Sequence, residues 1–313
     1  MTQAPGIRHR GCCAAVMLFI AVGLSACAGR PDVIPDSGPV TELGEVPFHP
    51  QEENHCGPAA LATVLDWHGA AVSPVELGEW LYIPARSGTL QAEMLAEARH
   101  RGFPAWAVTH RPELLREELD AGRPVVVLKN LGLGWYPVWH YAVVIGYDPE
   151  QQTVILRSGT EERRELAAHR FARFWGRSDY WALVMTEPGE VPAHVDATGY
   201  LQAIARFEQS SDDRAALERA WAAGTRTWPT EAGLWLARAN FHLERGEVEQ
   251  AERLLEKGLE PAFEPGPLHH NLAWLLAEQG RHREARAHAH AALASGGAFA
   301  ERSKALLESL ETP

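Results

Sequence analysis

The chain has 313 residues, of which 46% are hydrophobic and 22% are charged, and these values are ordinary for a globular protein. Its length suggests about two domains. The formal net charge is −12 and no basic stripe is present that could hold phosphates, so the sequence predicts no nucleic-acid partner.

The N-terminus has the pattern of an export signal. Arg8 and Arg10 form a short basic start, and a mostly apolar segment follows at residues 12–26. This segment is shorter than the about 20 residues of a membrane-spanning helix, which favours a signal-peptide core. It ends in Leu24-Ser25-Ala26-Cys27, which resembles the bacterial lipobox and implies cleavage before Cys27 and lipid attachment to it. The alternative is an ordinary signal peptide with a chance cysteine.

The segment after the signal indicates how the protein is held. Ala28 follows Cys27 where an Asp would suggest retention at the inner membrane. By resemblance to Gram-negative lipoproteins, we expect the periplasmic face of the outer membrane, with the lipid as the only membrane contact. Residues 28–45 are rich in Pro, Gly and Asp and predict a flexible tether.

The sequence contains four cysteines. Cys12 and Cys13 leave with the signal and Cys27 is used by the lipid, so Cys56 is the remaining thiol. A single cysteine cannot form an internal disulfide in an oxidising compartment. Cys56 is therefore a candidate reactive thiol.

Residues 46–186 mix helical and extended patterns and predict an α+β domain, with helices first and an antiparallel sheet after them. The expected helices cover residues 56–69, 89–101 and 112–121. The expected strands cover residues 124–128, 140–147, 153–156 and 180–185.

A linker at 187–192 is followed by Ala-, Leu-, Glu- and Arg-rich sequence with a helical rhythm over residues 193–313. Gly246 and Gly280 are 34 residues apart, each in a predicted turn, and Ala251 and Ala285 repeat this spacing. A fixed period of this length indicates stacked helical repeats.

These repeats resemble the tetratricopeptide repeat. Trp235 matches its first aromatic position and Leu272-Ala273 match its closely packed pair, although Gly258 stands where Ala is usual and Phe263 where Pro is usual. The resemblance implies an all-α array that binds a protein partner in its concave groove, with residues 298–310 as a capping helix. A generic helical bundle is the alternative.

The segment Gln51-Glu52-Glu53-Asn54-His55-Cys56-Gly57-Pro58-Ala59-Ala60-Leu61 is the most informative part of the chain. Cys56 begins a predicted helix, where free N–H groups and the positive end of the helix dipole favour the nucleophilic thiolate. Gln51 can offer an amide N–H to a developing oxyanion. The alternative for Cys56 is a small buried hydrophobic residue.

A nucleophilic thiol needs a base within hydrogen-bond reach. His140 is the candidate, because it begins an apolar strand directly after the Gly- and Trp-rich loop 132–139 and is well placed to face a cleft. The alternative is a surface histidine with no chemical role.

The pattern Gln-x4-CGPAAL, followed by the Trp-His-Tyr-Ala-Val-Val-Ile-Gly-Tyr strand, resembles the bacteriocin-processing, double-glycine-leader peptidase family and its stand-alone relatives. The resemblance covers residues 46–186 and implies a papain-like fold. It also implies Cys56 as nucleophile, His140 as base and Gln51 as oxyanion donor, with a peptide or protein substrate and with neither metal nor soluble cofactor.

One position departs from the family, which places an Asp on the strand after the His to orient the imidazole. Here residues 154–159 contain no Asp. Asp148 lies eight residues along the strand from His140, roughly 26 Å away at about 3.3 Å per residue. If 140–147 and 153–160 form a hairpin, Ser158 comes near His140 and is the candidate orienter. A backbone carbonyl or a group from another loop is the alternative.

Other motifs predict no further chemistry. The histidines of the repeats lack the i, i+4 pair of a zinc site, and the chain has no Gly-rich Lys-Ser/Thr loop for ATP. The sequence therefore favours a cysteine peptidase. It leaves open a degenerate, non-catalytic binding protein and a papain-like amidase or transpeptidase acting on cell-wall peptides.

Overall fold

A computed structural model describes residues 33–51 and 55–311. The predicted export signal and Cys27 lie outside these residues. In the described ranges, no helix is both long enough and apolar enough to cross a membrane.

The first part of the chain alternates short helices with strands. The helices are α1 (Cys56–Trp67), α2 (Pro74–Leu81), α3 (Gln91–His100), α4 (Leu114–Asp120) and α5 (Ala168–Trp175), with 3-10 turns at Pro84–Arg86 and Gly176–Ser178. The strands are β1 (Thr41–Glu42), β2 (Ala105–Val108), β3 (Val125–Asn130), β4 (Trp139–Asp148), β5 (Thr153–Ser158), β6 (Glu161–Ala167) and β7 (Ala182–Met185).

All strand pairings of this sheet are antiparallel, and the order is β2-β7-β3-β4-β5-β6, with β1 paired to β4. Side chains alternate between the two faces. Val126 and Leu128 join the core beneath α1, α2 and α3, whereas Val125 and Val127 join the core beneath α4 and α5. The predicted α+β domain with an antiparallel sheet is confirmed.

Several elements differ from the sequence-based expectation. Strand β6 (Glu161–Ala167) was not predicted, because its first five residues are exposed and carry no apolar alternation, and it is a strand only through its pairing with β5. Helices α2 and α5 and strand β2 were also missed, since each is only four to eight residues long.

The expected tether is in part ordered structure. Val33 and Ile34 are buried in the core beneath α4 and α5, and β1 lies within the predicted tether. The flexible-tether prediction was therefore wrong for at least these residues of 28–45. Two adjacent apolar side chains in a polar segment were the signal that the compositional argument overlooked.

The second part of the chain is helical, as predicted. Its helices are α6 (Ala197–Glu208), α7 (Arg214–Thr227), α8 (Ala232–Leu243), α9 (Val248–Leu259), α10 (Gly266–Glu278), α11 (His282–Ser295) and α12 (Ala298–Glu311). Each helix packs against the next along the chain. Gly246 and Gly280 have φ angles of 73° and 75°, the left-handed conformation that glycine adopts readily at a helix end.

Gly258 has a packing reason in this structure. A Cβ atom at this position would lie 2.7 Å from Cγ of Trp235. The indole therefore occupies the space that a larger residue on α9 would need, which accounts for the glycine at this position.

The helical region and the sheet share a hydrophobic core. Trp106 on the edge strand β2 packs with Tyr200 of α6, with ring centroids 6.1 Å apart. A polar contact also joins the two parts of the chain. The buried Glu118 carboxylate accepts hydrogen bonds from Arg123 Nε at 2.5 Å and from the backbone N–H of His194 at 3.1 Å. These contacts hold the start of the helical region against the sheet.

We expect Trp106→Ala to lower the free energy of unfolding by about 3–5 kcal/mol, the usual cost of truncating a buried aromatic side chain. Trp106 is 5% exposed. Urea denaturation followed by circular dichroism measures the change. Trp80→Ala is the matched control, because Trp80 is 72% exposed and its truncation should cost less than about 0.5 kcal/mol. Equal losses in both variants would contradict a shared core.

Candidate active site

Cys56 is the first residue of α1 and is the free cysteine of the described residues. Helix α1 packs on the sheet through Leu61, Val64 and Leu65, which are almost fully buried. This packing fixes the helix start, and with it the half-buried thiol, at one end of the sheet.

Gly57 allows a loop to approach the helix start closely. A Cβ atom at position 57 would lie 2.7 Å from Cβ of Thr89. The side chain of Thr89 therefore fills the space on this side of the backbone. The loop at 86–91 therefore forms one wall directly beside Cys56.

His140 lies on β4, and its Nε2 is 3.0 Å from Oγ of Ser158 at the end of β5. The register of β4 with β5, including a bulge between Val144 and Gly146, places these residues together as the hairpin argument predicted. Because Nε2 contacts the hydroxyl, Nδ1 is the ring nitrogen that remains for proton exchange with a thiol. Asp148 lies at the other end of β4, where its carboxylate accepts the N–H of Gln151 at 3.0 Å.

Gln51 is held by hydrogen bonds at both ends of its amide. Its Oε1 accepts the N–H of Gly159 at 3.0 Å, and its Nε2 donates to the carbonyl of Tyr141 at 3.4 Å. A carboxamide nitrogen carries two hydrogens, so one donor remains after the bond to Tyr141.

These side chains line one cavity of about 1020 Å³. Its walls include Gln51, Cys56 and the segments 86–91, 136–141 and 177–179. The structure therefore brings three of the four predicted site residues, Gln51, Cys56 and His140, to one cavity. The fourth, Ser158, is not among the residues that line the cavity, but it contacts Nε2 of the His140 ring.

Burial sets the protonation states of the pair. It lowers the pKa of His140 to about 4, with further lowering by the positive charges of Lys129 and Arg164. Burial also raises the pKa of the Cys56 thiol, although the backbone N–H groups of Tyr141, Gly57 and Cys56 itself oppose this rise. Near neutral pH the resting pair is therefore a thiol and a neutral imidazole.

Lys129 is a buried charged residue next to the site that the sequence did not predict. It is 2% exposed and stands opposite His140 in the register of β3 and β4. The predicted strand ended at residue 128, whereas β3 continues to Asn130. A lysine that directly follows four consecutive apolar residues was the available signal.

Two histidine contacts lie apart from the cavity. His55 precedes Cys56, but its ring packs against Tyr82 with centroids 5.0 Å apart. In the helical region, Nδ1 of His269 lies 2.9 Å from Nδ1 of His288.

Comparison with known proteins gives a family match over this same region. Residues 43–182 match the profile of the Peptidase_C39 like family. No curated protein matches the chain significantly.

Solved structures include several similar chains. A C39-like protein from Bacillus anthracis is 20% identical, with a TM-score of 0.42, over 48% of this chain and 98% of that chain. A second similar structure is the peptidase domain of Streptococcus ComA, a bi-functional ABC transporter involved in a quorum-sensing pathway. It is 23% identical, with a TM-score of 0.39, over 45% of this chain and 98% of that chain. A third is a double glycine motif protease from an AMS/PCAT transporter, solved in complex with the leader peptide. It is 22% identical, with a TM-score of 0.37, over 45% of this chain and 91% of that chain.

The family match includes Cys56 and His140 and ends before the helical region begins. The α+β part of this chain, residues 43–182, is thus similar to the C39-like peptidase family.

Proposed function

We propose that this protein is a cysteine peptidase in which Cys56 is the nucleophile, His140 the base and Gln51 an oxyanion donor. The observation that carries the proposal is that all three side chains line one cavity, with Cys56 at a helix start. The match of residues 43–182 to a family of peptidases supports it.

The resting protonation states define the order of steps. Nδ1 of His140 takes the thiol proton while the sulfur of Cys56 forms a bond to the peptide carbonyl carbon. The remaining N–H of Gln51 and the backbone N–H of Cys56 stabilise the oxyanion. The imidazolium then protonates the leaving amine as the C–N bond breaks. His140 next takes a proton from water as the water oxygen attacks the thioester carbon. The C–S bond then breaks, the acid is released, and the imidazolium returns its proton to the Cys56 sulfur.

In this proposal Ser158 orients the ring of His140. The 3.0 Å contact to Nε2 supports this role. A neutral hydroxyl holds the ring as a carboxylate would, but it provides no negative charge to stabilise the imidazolium.

The remaining features of the proposal concern location and partners. The lipobox-like Leu24-Ser25-Ala26-Cys27 supports a lipid anchor on Cys27, and with it residence at the periplasmic face of a Gram-negative outer membrane. The 34-residue period, the helix-ending Gly246 and Gly280 and the consecutive packing of α6 to α12 support tetratricopeptide-like repeats that bind a protein partner.

A peptide-library assay tests the activity. The purified chain is incubated with a mixture of peptides, and new termini are identified by mass spectrometry. We expect cleavage that iodoacetamide abolishes. A parallel incubation with cell-wall peptides tests for amidase or transpeptidase products, and their appearance without library cleavage would replace the peptidase assignment.

A specific observation favours one alternative, a non-catalytic binding protein. Ser158 occupies the place of the carboxylate that orients the histidine in the family, so the base lacks its usual charge partner. A Cys56 thiol that reacts with iodoacetamide no faster than free cysteine, together with no cleavage of the library, would support binding without catalysis.

A further inference from the structure

Lys129 lies beside the candidate catalytic pair. It pairs with His140 across β3 and β4, and residues opposite each other in antiparallel strands point to the same face with Cβ atoms about 4.5–5.5 Å apart. The helix that begins at Cys56 packs on both of these strands, and the positive charge of Lys129 lowers the pKa of the Cys56 thiol, although less than the backbone N–H groups do.

Lys129 is buried, and among the residues that the structure describes it has no salt-bridge partner. Only 2% of its surface is exposed. A buried ammonium is destabilising, so an ordinary core position would favour an apolar residue. Its position beside a nucleophile and a base is a functional explanation for this cost.

We propose that Lys129 is a positioning residue that supplies the fixed charge of the site, holding His140 as a neutral base and stabilising the Cys56 thiolate. This inference rests on the proposed function of Cys56 and His140. The charge near the pair is then positive, whereas the family orients its histidine with a negatively charged carboxylate.

Several ionisable groups lie on the elements around β3, and Lys129 is the buried basic residue of this strand itself. Strand β4 contributes His140 and Tyr141, with Tyr147 and Asp148 at its far end. Helix α1 begins with Cys56 and carries Asp66 in its last turn, while β7 has no ionisable residue. On α4, Glu118 is paired with Arg123 and His194, and Arg116, Glu117 and Asp120 are not buried. The three basic residues of α5 are exposed, namely His169, Arg170 and Arg173. Arg164 on β6 and Arg177 and Asp179 after α5 complete the set, and Arg177 donates to the carbonyl of Asn130.

The charge of Lys129 has two opposite consequences for the pair. It favours the thiolate of Cys56 and disfavours the imidazolium of His140. Burial lowers the pKa of Lys129 to about 8, with a further lowering by Arg164, so the amine is still mostly charged at neutral pH. An imidazolium of low pKa is a strong acid, and such an acid readily protonates the leaving amine of a peptide.

The rate of Cys56 alkylation by iodoacetamide tests the inference without any peptide substrate. The purified full chain is treated between pH 5 and pH 9, and modification is quantified by mass spectrometry of the peptide that contains Cys56. We expect Lys129→Met, which keeps the length of the side chain, to slow alkylation at pH 7 by about 3- to 10-fold, because loss of the positive charge lowers the fraction of Cys56 present as thiolate. Lys129→Arg should restore most of the rate.

Two controls separate charge from structure. Arg164→Gln removes a cation whose side chain is 43% exposed. Because water and salt screen an exposed charge, this substitution should change the alkylation rate of Cys56 by less than about twofold. In the unaltered protein, NMR titration of the His140 ring should show it neutral down to about pH 4. This measurement remains informative if Lys129→Met fails to fold.

The outcomes distinguish this inference from the proposed function. Rapid alkylation of Cys56 at the same rate in Lys129→Met would overturn the role of Lys129 and leave the peptidase proposal standing. A His140 ring that titrates at its usual 6.5 would also overturn it. A Cys56 that is unreactive in the unaltered protein would instead remove the proposed function itself.

Discussion

Replacement of Cys56 by alanine is expected to reduce peptide hydrolysis by at least about 10³-fold, because removal of the attacking atom leaves only binding and oxyanion stabilisation. The thiol is half-buried at the start of α1, and the substitution leaves the apolar side chains of that helix in place. Initial rates of cleavage of a peptide found in the library, with circular dichroism as a check of folding, measure the effect.

Ser87→Ala is a suitable control for this variant. Ser87 lines the same cavity, on the wall formed by residues 86–91, and has no role in the proposed chemistry. We expect Ser87→Ala to stay within about threefold of the unaltered rate, since a surface hydroxyl contributes about a single weak hydrogen bond. Residual cleavage of more than a tenth in Cys56→Ala would show that another group attacks the peptide bond.

Replacement of His140 by alanine is the second large effect. Loss of a general acid–base lowers kcat/KM by about 10²–10⁴-fold. The pH profile adds a sharper test, because burial lowers the pKa of His140 to about 4. Below this value the ring is protonated and cannot accept the thiol proton. In the unaltered protein kcat/KM should therefore fall as the pH drops through about 4, rather than through the usual 6.5.

His110→Ala is the control for the loss of an imidazole, because the side chain of His110 is 73% exposed and lies outside the residues that line the cavity. Ser158→Ala is the second comparison. Loss of its hydrogen bond to Nε2 should lower kcat/KM by only about 3- to 10-fold, the effect of roughly 1 kcal/mol. An acid limb near 6.5, or an undiminished rate in His140→Ala, would contradict a buried neutral base.

The sheet connects these predictions to the fold. Cys56 and His140 are distant in the sequence, and both line one cavity because α1 packs on β3 and β4. Lys129 is opposite His140 in the register of β3 and β4. Alternation along each strand assigns apolar side chains to two cores and leaves the polar residues at the strand ends near the cavity.

Local patterns in the sequence were sufficient for the parts that depend on near neighbours. The helix that begins at Cys56, the apolar strand at His140, the hairpin that brings Ser158 to its ring and the helical second half all follow from periodicity and turn residues. The 34-residue spacing placed Gly246 and Gly280 in turns for the same reason, since a helix end is a local event.

Long-range packing determined the rest. Strand β6 exists because β5 offers it an edge, and its charged residues contain no apolar alternation that could predict this. The burial of Val33 and Ile34 and the shared core around Trp106 depend on partners far along the chain. The burial of Lys129 beside His140 is of the same kind, because the energetic cost of a buried charge depends on surroundings that only the folded chain creates.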